Sequence, residues 1–185
     1  PRVNPAPLPP YARDRPMDVA VPALPLHCTF EAADWQRLAQ HWHAVALSSE
    51  VSEAPFKAML LDEPLVLYRL GAELVAARDV CPHRGVPLSM GSADGAGVVC
   101  AYHGLRFGAG GRCNHIPASP NQNIPAKMRL HTYAVAERYG LIWVCLAKPA
   151  GVSAAEVQIP PMPGWDEDGF QQIVCPGFDI AGSAA

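Results

Sequence analysis

Residues 81–103 read CPHRGVPLSMGSADGAGVVCAYH, and they place Cys81 two residues before His83, then Cys100 three residues before His103. Thiolates and neutral imidazoles are ligands for zinc, copper and iron, so these four residues point first to a metal. A structural zinc site normally takes its ligands as a C-x2-4-C pair and an H-x3-5-H pair. Here each half contributes one Cys and one His, which suits two similar loops gripping a polynuclear group from either side. A lone Cys or His is usually core filler or surface decoration. Four of them in this order, within CPHRG and CAYHG, argue against coincidence. Gly85, Gly91, Gly104 and Gly108 lie around them, where glycine lets backbone amides come close to the ligating atoms.

Outward from this stretch, the chain has 185 residues, half of them hydrophobic and 17% charged, with a formal net charge of -3. That is enough for one buried core with appendages. The charge supplies no basic field for a nucleic acid. No apolar run approaches the roughly 20 residues a membrane helix needs. The opening PRVNPAPLPPYARDRP has no apolar signal-like segment, so a cytoplasmic protein is expected. Six cysteines without regular spacing argue for reduced thiols over a disulfide framework.

Residues 1–30 form a Pro-rich arm in this reading, with eight prolines in the first 27 positions. Phe30, Trp35, Leu38 and Trp42 recur at helical spacing, and Glu31 and Asp34 suit a first turn. This predicts a helix over about 31–41, followed by a strand at WHAVAL. Up to residue 148 the signals are strands and turns: FKAMLL, a DEP turn, LVLYRL, a Gly71 turn, ELVAARDV, GVVCAY, LRFGAGGRC and LIWVCLA. The expected fold is mostly β, an antiparallel barrel or sandwich with a smaller cluster-binding subdomain. Residues 149–185 read as a linker through IPPMPGWDEDG and one further strand in GFDIAGSAA.

Ligands split as two thiolates on one iron and two imidazoles on the other define a Rieske [2Fe-2S] centre, whose potential lies at roughly -150 to +300 mV. CPHRGVPLSMG followed by CAYHGLRFGAGGRC resembles the Rieske domain of ring-hydroxylating and demethylating oxygenases, over about residues 35–148. The resemblance implies that Cys81 and Cys100 bind the inner iron, while His83 and His103 bind the outer iron that exchanges electrons. Respiratory Rieske proteins carry a loop disulfide and two hydroxyl donors. Val86 and Tyr102 stand at the disulfide positions, and Leu105 and Phe107 at the hydroxyl positions. The resemblance therefore implies a potential at the low end of the range, suited to an NAD(P)H-dependent reductase or ferredoxin as electron donor.

Two functions compete: the electron-entry domain of an oxygenase acting on a small organic substrate, an aromatic one as the resemblance implies, and a free-standing Rieske ferredoxin. The arm, the helix ADWQRLAQHW and the segment QQIVCPGFDIAGSAA resemble the flanks of an oxygenase catalytic subunit, for which the family implies a homotrimer. A catalytic domain of that kind would hold a mononuclear Fe(II). No histidine follows His131, so a two-His, one-carboxylate site cannot be built from residues 132–185. Arg84, Arg106 and Arg112 flank the ligand loops, either as a positive collar for an acidic partner or as local hydrogen-bond donors. His27, His41, His43, His115 and His131, with Cys28, Cys113, Cys145 and Cys175, lack paired spacing and are expected to be structural.

Overall fold

The computed structural model describes residues 23–121, 123–149 and 159–175. The Pro-rich arm up to residue 22 and the expected strand in GFDIAGSAA lie outside the described residues. Among the described residues one α-helix, α1 (Ala32–Leu38), precedes β1 (His43–Leu47), β2 (Phe56–Leu60), β3 (Glu63–Leu70) and β4 (Glu73–Arg78). The cluster of short elements that follows contains β5 (Ser92–Ala93), β6 (Val98–Val99), β7 (Arg106–Phe107) and β8 (Cys113–His115). Two long strands, β9 (Thr132–Arg138) and β10 (Leu141–Pro149), return to the first sheet.

The larger sheet has the order β1-β10-β9-β4-β3-β2, antiparallel at every pairing, and β1 also lies against β2, so the sheet nearly closes on itself. The smaller sheet runs β5-β6-β7-β8. A period of two explains how they stack. On β3, Leu65 and Leu67 enter the core of the large sheet, whereas Val66 and Tyr68 enter a second apolar cluster with Leu88, Val98, Leu105 and Phe107. Ala76 on β4 faces the first cluster, and Val75 and Ala77 face the second. The run LVLYRL is therefore buried on both faces, which is why it shows no polar alternation. Tyr68 joins the layers directly, its hydroxyl donating to the Gly108 carbonyl at 3.1 Å.

The helix is shorter than its sequence pattern predicts. It buries Trp35, whose indole N–H donates to Leu61 O at 2.8 Å. Phe30 and Leu38 stay more than a third exposed, because a seven-residue helix lying over the barrel end has one face, not two, to bury. The Ala39 carbonyl accepts the Ala147 amide at 2.9 Å and so ties the helix end to β10. The turn expected at DEP falls instead on Leu61 and Asp62, both at positive φ, and Glu63 and Pro64 already pair in β3. No strand was expected over Thr132–Arg138, yet β9 sits centrally between β10 and β4.

Candidate metal centre

Two loops of the same construction carry the four residues. In the first, Cys81 N donates to Val86 O at 2.8 Å and Gly85 N to Cys81 O at 2.8 Å. In the second, Cys100 N donates to Leu105 O at 2.9 Å and Gly104 N to Cys100 O at 3.0 Å. Each is a six-residue turn from a Cys to an apolar residue, closed by a glycine at positive φ, +76° in Gly85 and +66° in Gly104. An L side chain is strained in that region. At Gly104 space is tight as well, since a Cβ there would lie 3.0 Å from Pro117 Cγ. The loops differ in that His83 is the third residue of its turn and His103 the fourth of its own.

The consequence is a polar division. Cys81 and Cys100 are 2% and 3% exposed and pack in the apolar cluster beneath the loops. His83 and His103 are exposed, and their rings meet edge to face with centroids 4.7 Å apart. Burial pushes the Cys81 thiol up from its ordinary range, and the neighbouring Cys100 thiol adds to this. The backbone N–H groups of His83 and Arg84 pull it down, aimed at sulfur as ligand-supporting donors are. Leu105 and Phe107 are buried in the same apolar cluster.

All four sequence-predicted ligands are thus brought together. Three of the remaining histidines and cysteines have other surroundings or partners. His43 Nε2 lies 2.8 Å from Leu38 O. Cys145 is buried beside Trp42 and Ile159. Cys113 packs under the loops, with its Sγ 3.5 Å from His115 O. None of the six cysteines is in a disulfide. Of the three arginines, Arg106 is turned to Asp94 at 2.9 Å and to Asn114 at 2.8 Å, while Arg84 is exposed on the first loop. Sequence reasoning gave no role to Tyr102, whose ring covers His103 with centroids 3.8 Å apart while remaining 62% exposed. Its place inside CAYHG was the available signal.

A family model described as the Rieske [2Fe-2S] domain matches residues 41–134, and the chain belongs to that family. Among its relatives, methylxanthine N1-demethylase NdmA of Pseudomonas putida is 41% identical over 115 residues, 59% of this chain and 33% of the relative. The oxygenase component of dicamba O-demethylase from Stenotrophomonas maltophilia is 44% identical over 110 residues, 59% of this chain and 32% of the relative. Among solved structures, NdmA of Pseudomonas putida CBB5 superposes with a TM-score of 0.64 at 35% identity, over 72% of this chain and 42% of that one. Apo dicamba monooxygenase gives 0.61 at 38% identity, over 67% and 38%. The chain spans about a third of the length of these curated relatives.

The family implies a [2Fe-2S] cluster, and the donor set fits one. Among the described residues no three Cys, His, Asp or Glu side chains are placed to hold a single metal ion. The donors fall instead into a buried thiol pair and an exposed imidazole pair, as two irons with two protein ligands each require. Ferric iron would also offset the cost of ionising buried, neighbouring thiols. Among the described residues no helix is long and apolar enough to cross a membrane.

Proposed function

We propose that Cys81 and Cys100 hold one iron of the cluster and His83 and His103 the other, and that the chain is the electron-entry part of an oxygenase component. The observation that carries this is the pair of like-built loops with thiols inward and imidazoles outward. When bound, the cluster supplies one-electron redox chemistry. The protein's part is to keep the thiol side dry in the Val66, Leu88, Leu105 and Phe107 shell, to direct amide N–H groups at sulfur, and to leave the two imidazole edges open to solvent. An electron from a reductase or ferredoxin then has its shortest route at His83 or His103.

In this reading residues 1–30 are an arm, 31–148 the Rieske domain and 149–185 the linker and first strand of a catalytic domain. That domain supplies a mononuclear iron and substrate recognition. The names of the relatives, demethylases of methylxanthines and dicamba, support O2-dependent demethylation or hydroxylation of a small aromatic or heteroaromatic compound. The test is to express the chain alone and beside its full reading frame. The chain should bind iron and sulfide, show the low average g-value resonance of a Rieske centre and accept electrons without oxygen-dependent turnover. The longer protein should bind one more iron per subunit and turn over. A chain that shuttles electrons to a separate oxygenase, from a reading frame ending at Ala185, would establish a free-standing ferredoxin instead.

A further inference from the structure

The second ligand loop is closed at its base by a β-ladder, Val98↔Phe107 and Val99↔Arg106. The first loop has no such base. It leaves the large sheet at the end of β4 and enters the small sheet at β5, so its two ends belong to different sheets and share no ladder. At the point where a ladder would stand, the Asp79 carboxylate spans the gap. Its Oδ1 accepts the Ser89 amide at 2.8 Å and its Oδ2 the Ser89 hydroxyl at 2.5 Å. Asp79 is 2% exposed, and its own amide donates to Pro64 O on β3 at 2.9 Å. The other end is equally fixed, since Leu88, beside Ser89, is fully buried in the apolar cluster that holds Cys81 and Cys100. A buried carboxylate is costly unless hydrogen-bonded, and here both oxygens are used to join the loop ends.

We propose that Asp79 and Ser89 are positioning residues for Cys81 and His83: the carboxylate clamp does for the first loop what the β6–β7 ladder does for the second, and so sets the spread between the His83 and His103 rings. This rests on the four-ligand reading above. With the clamp opened, residues 81–88 keep their internal turn but lose their fixed relation to the second loop, so the outer iron's ligand field and the grip on the cluster change together.

The experiment compares the cluster-loaded parent with Ser89→Ala, Ser89→Thr and Leu60→Ala. Ser89→Ala keeps the backbone donor and the Asp79 charge and removes only the hydroxyl. Ser89→Thr restores a hydroxyl. Leu60→Ala weakens the large core away from the loops. Readouts are the g-values and linewidth of the reduced cluster, its midpoint potential, and the rate of cluster loss to a chelator. Ser89→Ala should shift and broaden the resonance, move the potential and speed cluster loss by about tenfold, with Ser89→Thr near the parent and Leu60→Ala leaving g-values and potential unchanged. The clamp is refuted if Ser89→Ala matches the parent in all three, or if Leu60→Ala reproduces its effect. A parent that assembles no [2Fe-2S] cluster would bring down the four-ligand reading and the clamp with it, whereas a loaded parent with indifferent variants would remove the clamp alone.

Discussion

The two sheets solve the same folding problem with very different means. In the large sheet, β3 and β4 pair over six consecutive residues, Leu65↔Arg78 to Leu70↔Glu73, above a core of Leu65, Leu67, Ile142, Val144 and Leu146. Ladder and core together stabilise it without help. The small sheet has strands of two or three residues, too few for a self-supporting ladder. Its order comes from the apolar cluster that it shares with β3 and β4, the Tyr68 hydroxyl on Gly108 O, and the Arg106 links to Asp94 and Asn114. The large sheet carries its own ladder and core, whereas the layer that bears the ligand loops leans on β3 and β4 for its apolar core.

The largest effect should come from removing iron. Amide exchange across residues 81–115 should rise by orders of magnitude while β3, β9 and β10 stay protected. Uniform acceleration in both sheets would show that the layers are one cooperative unit.

A break aimed at the scaffold comes next. Glu63 is 2% exposed, and both its oxygens accept from the Arg78 guanidinium. Arg78→Met takes away the charged partner of that buried carboxylate and leaves it only the Tyr133 hydroxyl, at a cost of about 3 kcal/mol, the low end for such pairs because the Arg78 side chain is 40% exposed. Urea unfolding measures it, and adding Glu63→Leu should restore most of the loss.

Substituting the loop glycines sharpens the comparison within the functional layer. Gly85→Ala and Gly104→Ala both force a Cβ into the left-handed region, at about 1–2 kcal/mol. Only Gly104→Ala also drives that Cβ against Pro117. It should therefore lower the melting temperature more and lose its cluster faster; equal losses would mean that Pro117 yields.

The smallest effects belong to the surface ion pairs, one on each sheet. A hydrogen bond from Arg106 holds the Asp94 carboxyl below its ordinary range, and one from Arg69 does the same for Glu137. A depressed carboxylate contributes stability above its unfolded value, about pH 4, and loses it as pH falls through the lower folded value. Both carboxylate side chains are more than two-fifths exposed, so solvent screening leaves Asp94→Asn and Glu137→Gln below about 1 kcal/mol at pH 7. That difference from the parent should shrink in molar salt and vanish at strongly acidic pH.

Much of this was legible in the sequence because it is local. The order of Cys81, His83, Cys100 and His103, and a glycine four residues after each cysteine, mark two like turns within the sequence itself. The apolar run LVLYRL and Gly71 mark the β3–β4 hairpin in the same way. What escaped was decided at long range. β9 was missed because TYAVAER is rich in small residues and buries adjacent Tyr133 and Ala134, a pattern set by its central place between β10 and β4. The turn at Leu61–Asp62 was misplaced because Glu63, polar by nature, is made a strand residue by Arg78 from across the hairpin. Asp79 and Ser89, ten residues apart on either side of CPHRG, carry no periodic signal. Only the meeting of two sheets, with a loop whose ends lie one on each, turns an ordinary carboxylate and hydroxyl into its closure.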